Sequence, residues 1–417
     1  MVWSQSAGSQ GRVKSAAAPA PAPQPQNVSA TVAPMGGEVS ILGAINGDQV
    51  LPSISFANGQ GILVWQDNVI DGNGAGIGGV AISSSLTSGP IFHGNSSKVG
   101  DQLSPRVQTM GGNTLVTWQS RVAGIPGIYA RLAKNGTTFY TADTRLNVQT
   151  AYEVAEPVAT ALPDGSAVVA WSSFGQDGSL SGVYARRLLA TGKAATAKEF
   201  LVNTYTAFNQ RNPEITTLAN GNYVITWVSE NERFAGSIDI FARVFNSANA
   251  NNAVTGEILI NSGSNICSRP SVAPLNDGGF TVVWAQKDTT IETNSWDIWG
   301  RAFSANGTPE VSDFRINTYL YGDQIQPRIA AGPSGSLVVW TSLAQDGSRE
   351  GVFGRFLAGG TQPSGKEFQV NTTWISQQMH PAVAWNGLDR FVVVWTSFAG
   401  QSGFDLYGQA YTLSTAP

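Results

Sequence analysis

The run Asp164 to Pro213, DGSAVVAWSSFGQDGSLSGVYARRLLATGKAATAKEFLVNTYTAFNQRNP, decides the fold. It opens on a tight Asp-Gly turn of hairpin type. AVVAWSS (residues 167–173) then reads as an apolar, β-branched strand, and FGQDGSLSG as a second turn. VYARRL (183–188) is a further strand, LATGKAATA a loop, and KEFLVN (198–203) the last strand before TYTAFNQRN leads to Pro213. Just upstream, PVATAL (157–162) is an extended segment opened by proline, which suits the first residue of a strand. Four short strands therefore follow one another, and no window of useful length shows the helical period.

The same unit recurs along the chain. Trp65, Trp118, Trp171, Trp227, Trp284, Trp340 and Trp395 are spaced by 53, 53, 56, 57, 56 and 55 residues. A proline precedes each by 13 or 14 residues: Pro52, Pro105, Pro157, Pro213, Pro270, Pro327 and Pro381. Asn95, Asn147, Asn203, Asn317 and Asn371 stand ten residues before a proline, and Asn261 nine before. Four antiparallel strands repeated about every 55 residues predict the blades of a β-propeller, and seven copies fall within the range that closes a ring. The expected fold is all-β, a seven-bladed propeller with blades starting near 52, 105, 157, 213, 270, 327 and 381. The last copy lacks its fourth strand, and GEVSILGAINGDQVLP before the first copy has the form of one. Glu38 to Leu42, within a closing segment 28–51, is expected to supply it and latch the ring, leaving no open sheet edge. Residues 1–27, rich in Ala and Pro, form a separate arm expected to be flexible or polyproline-like.

Composition agrees. There are 47 glycines in 417 residues, and charged residues make up 12%, half the usual share of about 25%. A net charge of −4 argues against nucleic acid as a partner. The single cysteine, Cys267, leaves no internal disulfide and no thiolate zinc site. His93 and His380 are the only histidines, which leaves little for metal or Ser-His-Asp chemistry. No apolar run is long enough for a membrane helix, and no signal peptide is visible.

Residues constant across the copies serve the architecture; residues that break the pattern are the candidates for a specific task. The tryptophans read as blade-to-blade packing. Arg131, Arg186, Arg243, Arg301 and Arg355 read as structural, forking onto carbonyls or an acid of their own or a neighbouring blade, with Ser83 and Gln409 in their place in the first and last copies. The asparagines are expected to cap turns. The less regular loops carry Tyr205, Phe208, Trp296, Tyr319, Tyr321, Trp374 and Gln377 as candidate ligand-binding residues, with Tyr152, Asn209, Gln210, Gln324, Gln326 and Gln378 nearby. Aromatics beside amides suit sugar rings. The QDGS turns at Asp177 and Asp346 are plain turn sequences, with calcium as a sharper possibility. For catalysis on a polysaccharide the loop carboxylates Asp177, Asp346, Glu230, Glu232, Asp288 and Glu292 are candidates, but nothing pairs them, and no nucleophile elbow, phosphate loop or zinc motif is present.

The repeat is similar to one of about 55 residues in large bacterial surface and calcium-dependent (RTX-type) secreted proteins, over Pro52 to the C-terminus. The resemblance implies an extracellular adhesion or interaction propeller. The expected function is accordingly a non-catalytic surface module that binds a glycan or receptor through its loop-rich face, outside the cell or on a virion. The alternatives are a structural subunit of a filament, virion or surface layer tethered by residues 1–27, and a polysaccharide-active hydrolase or lyase. No cofactor is expected apart from the calcium just mentioned.

Overall fold

The computed structural model describes residues 30–288 and 294–415. The proposed arm 1–27 and the candidate Glu292 lie outside the described residues. The fold is an all-β propeller built from four-stranded antiparallel blades. The blade of the quoted run shows how the sequence makes it. Glu153–Ala161, Ala167–Phe174, Ser181–Leu188 and Phe200–Leu201 pair in that order. Gly165 supplies the positive φ of 80° that the first hairpin needs, and the Ser166 amide donates to Asp164 Oδ1 at 3.0 Å. Ala167 to Ser173 is buried throughout, because neighbouring blades cover both faces of this strand.

Four sheets have four strands, one has five and one has eight. The largest contains two antiparallel runs, Cys267–Pro274 to Phe314–Arg315 and Gly322–Gly332 to Gln362–Gln369. A short parallel contact between Asn294–Phe303 and Gly322–Gly332 joins them. Ala30–Ser40 pairs antiparallel with Phe404–Thr415, outside Arg390–Phe398 and Gln378–Trp385. The only helical element among the described residues is the 3-10 turn Gly400–Ser402.

The tryptophans are buried, all seven between 0 and 1% exposed. Each core cluster spans two blades: Val168, Ala170 and Val183 of one pack with Ile225, Trp227 and Phe241 of the next. Polar groups tie the same seams. Asn203 accepts the Val183 amide on Oδ1 at 2.8 Å and donates from Nδ2 to the Tyr205 carbonyl at 2.8 Å. It therefore caps its turn and also anchors the third strand. Asn147, Asn261, Asn317 and Asn371 accept the Ile128, Ile240, Ile298 and Val352 amides in the same way. The repeated arginines fork onto carbonyls of their own and the preceding blade: Arg186 donates from Nε to Thr196 O at 3.1 Å and from Nη1 to Leu146 O at 2.6 Å. Strand pairing sets Leu63 opposite Val80, where Val116 faces Arg131 and Val393 faces Gln409. Val80, not Ser83, is the first-blade counterpart of the arginines.

Candidate functional site

The prolines of the repeat converge on one cavity of ≈ 260 Å³, lined by all seven of them. In every inner strand the pairing slips just there, as between Val50 and Ser53 or Met379 and Ala382. Proline has no amide to donate, so it tolerates a bulge that leaves the ladder open. The residue before each proline has a positive φ: Leu51 53°, Ser104 53°, Glu156 59°, Asn212 54°, Arg269 48°, Gln326 56° and His380 53°. For residues with a Cβ this conformation is uncommon and costs energy. Its recurrence in every inner strand makes it part of the architecture. Its effect is to bring one variable residue per inner strand to the cavity wall.

Those variable residues and the ones after the prolines give the cavity its chemistry. Arg106, Arg269 and Arg328 face Glu156 and Glu214, together with Asn212, Gln326 and His380. Glu214 accepts from Arg106 Nη2 at 3.2 Å and also from Arg328 Nη1. Glu156 accepts from Asn212 Nδ2 at 2.5 Å and from the Asn212 amide at 3.2 Å. Glu156 is thus held on both oxygens, and Glu214 on Oε1 alone. The Arg269 side chain is exposed, and among the described residues no hydrogen bond or ion pair reaches its guanidinium. Three arginines against two glutamates leave one unbalanced positive charge at the ring centre.

His380 stands in that field. Burial, then the Arg269 and Arg328 guanidinium groups, push its imidazole down to about 4, and Glu350 only partly opposes them. The ring is therefore neutral near pH 7. Its Nδ1 is buried with no hydrogen-bond partner. Burial and the like charge of Arg328 likewise push Arg106 down to about 10, which leaves it charged at neutral pH.

The residues singled out from sequence lie elsewhere, most of them on the loops leading into the inner strands; Trp296, expected on a loop, instead stands in the strand Asn294–Phe303. The Phe208 amide donates to Ser179 Oγ at 2.9 Å and the Ser376 amide to Ser348 Oγ at 3.0 Å, so these loops and the QDGS turns share a face. Phe208, Tyr321 and Trp374 are exposed, at 46, 63 and 54%. Tyr319 packs edge-on to Tyr321, with ring centroids 5.8 Å apart. Tyr205 is half-buried and donates its hydroxyl to Asn231 O, Trp296 packs against a core cluster, and Gln377 donates to Glu350. Gln326 alone of the amides noted with them lines the central cavity. Asp177 and Asp346 each accept an amide two residues on, from Ser179 and Ser348, at 3.1 Å. Among the described residues no group of three or more His, Cys, Asp or Glu is placed to hold a metal ion. Of the loop carboxylates, Glu230 is taken by Arg211 and Asn209, and Glu232 is raised by burial and by Glu257 beside it. None of the described ones lines the central cavity. The sequence signal for the true cluster was present: the prolines repeat, while their neighbours change from Leu to Glu, Arg and His.

No protein-family model matches the chain, and no curated protein is similar to it. Among solved structures, an ulvan lyase of polysaccharide lyase family PL25, bound to a GlcA–Rha3S saccharide, aligns with TM-score 0.58 and 10% identity over 88% of this chain and 95% of that one. The polysaccharide lyase Uly1 aligns with TM-score 0.56 and 10% identity, over 88% and 90%. A protein of unknown function from Dyadobacter fermentans aligns with TM-score 0.54 and 11% identity, over 92% and 99%. At these identities the likeness is one of fold: all three support the propeller. It nevertheless corrects the functional expectation drawn from sequence. A non-catalytic adhesion module, with no enzymatic role, does not stand against a set of structural neighbours that includes polysaccharide-cleaving enzymes. No helix among the described residues is long and apolar enough to cross a membrane.

Proposed function

We propose that this chain is a seven-bladed propeller, closed by its N-terminal strand, that cleaves an acidic polysaccharide by β-elimination at the centre of the ring. Seven inner strands each contribute a proline to one cavity, which supports the blade count. Closure is supported by Glu38. It accepts the Thr372 amide at 2.5 Å and the Thr373 amide at 3.0 Å. Glu199 accepts the Val148 and Gln149 amides in the same way at 3.0 and 3.1 Å, one blade reaching to the one before. The closing strand on this reading is Ala30–Ser40, which starts earlier than the expected Glu38 to Leu42.

The observation that carries the chemistry is the neutral His380 beside the unpaired Arg269 on the wall of one cavity. β-Elimination needs two things: a cation to neutralise a uronate carboxylate, and a base for the proton on the ring carbon that bears it. Arg269 supplies the first and His380 the second. The C–H electron pair then forms the double bond to the neighbouring ring carbon, whose glycosidic C–O bond breaks. The departing oxygen recovers a proton from the imidazolium. Arrival of the carboxylate also offsets the positive field that holds His380 down, so the base strengthens when substrate is bound. Hydrolysis by paired carboxylates is disfavoured, because Glu156 is held on both oxygens and two arginines hold Glu214 at Oε1. The exposed Trp374, Tyr321 and Phe208 suit flanking sugar units, and a polymeric substrate puts the work outside the cell.

The test is incubation with uronate-containing polysaccharides and with a neutral arabinan. The expected product is an unsaturated uronate, read by ultraviolet absorbance, from an acidic polymer only. Release of saturated reducing ends without that absorbance, or no cleavage of any acidic polymer, overturns the proposal.

A further inference from the structure

The outer seam before the last blade holds a second cavity, ≈ 390 Å³, bordered by Gly36, Gly37, Phe368, Val370, Gln409 and Tyr411. It lies where the repeat places an arginine. In five blades that arginine donates from Nη1 to a carbonyl of the preceding blade, at Gly94, Leu146, Val202, Ile260 and Ile316. It also faces an acid four residues before the following turn: Arg131 Nε lies 3.8 Å from Asp143, and Arg301 Nε 3.4 Å from Asp313. Three of the five sit over an aromatic ring, the closest 4.2 Å from the Phe139 centroid.

In the last blade Gln409 replaces the arginine, and its Nε2 turns to Met35 O and Ala410 O at 3.2 and 3.0 Å. Everything that received the arginine remains. Val370, next to Asn371, stands where Ile316 stands beside Asn317, and among the described residues no donor reaches its carbonyl. Glu38 holds the acid position. Its Oε2 takes the Thr372 and Thr373 amides, while its Oε1 is buried without a partner. Tyr411 supplies the aromatic wall where Phe245 and Phe303 do, and Glu38 is near enough to help raise its hydroxyl, after burial. The one cation bordering the space, Lys366, is on an exposed residue.

The first blade lost the same arginine and behaves differently. Val80 fills the position as buried core, Ile91 stands where the acid belongs, and Ser88 Oγ donates to the carbonyl of Ile41 at 2.9 Å. In that seam the arginine position is apolar core, no acid is kept, and the carbonyl has its own donor. The last seam kept a free carbonyl and an aromatic face on an open volume, and a buried carboxylate oxygen just behind the lining residues Gly37 and Thr372. Leaving such groups unpaired is costly.

We propose that this cavity binds a guanidinium group on an alkyl stem, as carried by arginine. The cation pairs with Glu38 Oε1, donates to the Val370 carbonyl and lies against Tyr411. Free arginine derivatives and an arginine on a second protein offer the same chemistry. The full-length chain is titrated calorimetrically with N-acetylarginine amide, with the neutral citrulline analogue, and with an extended peptide bearing one central arginine. Saturable binding of the arginine derivative is expected, at least about tenfold weaker for citrulline and for E38Q. Q409R fills the site from within, so it binds nothing and melts no lower than the parent. If Q409R does not fold, E38Q and the citrulline arm carry the test. A peptide tighter than the free derivative assigns the site to a protein partner, and a weaker one assigns it to a small molecule. No saturable binding by the parent chain, equal binding of citrulline, or retained binding in a folded Q409R overturns the proposal.

Discussion

Replacing His380 by Gln tests the electrostatics of the ring centre. An unfolded histidine titrates near 6.5, and in the fold the group titrates near 4. Its folded value is lowered, so the native state keeps the ring neutral while the unfolded chain takes up a proton. The resulting stability is fully present above about pH 6.5 and is lost as the pH falls towards 4. Each pH unit between the two values is worth about 1.4 kcal/mol. Descending from pH 7 to 4 therefore costs the parent protein about 2–3 kcal/mol through this one group. His380→Gln cannot bind the proton in either state. Its unfolding free energy in urea is expected to fall less over the same range, by about that amount. Carboxylates contribute equally to both curves and cancel in the difference. The chain has two histidines, His93 and His380, so imidazole NMR signals report the titration directly. Equal pH slopes in the two proteins, or an imidazole that titrates near 6.5, would refute the burial and arginine field argued for this site.

Three other substitutions separate fold from function. Arg269→Ala removes an exposed, unpaired cation, so stability should change by less than about 0.5 kcal/mol while cleavage of acidic polymer is lost; urea melts beside the ultraviolet assay check both. Glu214→Gln leaves Arg106 and Arg328 facing each other, and should lower stability by roughly 1–3 kcal/mol while tightening salt-sensitive binding of polyuronate. Trp227→Ala empties a fully buried site between two blades and should cost about 3–5 kcal/mol, seen as a lower urea midpoint with an intact denaturant slope.

Much of the blade is legible in the sequence. Tryptophan, proline and asparagine keep step because each answers a geometric need of every blade: filling a seam, opening a bulge, capping a turn. Trp171 and Trp227 pack as the spacing implied, and Asn203 does slightly more than implied, holding the third strand as well as its turn. Arg186 forks onto carbonyls of two blades, as its recurrence suggested. The site was less legible. The irregular loops and their aromatics are the conspicuous departures from the repeat, whereas the charged cluster lies beside the most regular landmark in the chain. A side chain next to proline in an extended strand is ordinarily assigned by alternation. The bulge breaks that alternation, and a positive φ at Glu156, Arg269 or His380 cannot be read from residue type, since neither glycine nor asparagine marks most of these positions. The register error at Ser83 has a related cause: the glycine-rich first copy offers no aromatic to align against Tyr129 or Tyr184, and only the strand pairing identifies Val80.

The most direct test of the account is the structure of the His380→Gln variant with a bound acidic oligosaccharide. The account predicts a uronate carboxylate against Arg269 inside the proline-lined cavity, with its ring carbon facing the position vacated by the imidazole. A saccharide bound only to the loop aromatics Phe208, Tyr321 and Trp374, with the proline-lined cavity holding none, would contradict it.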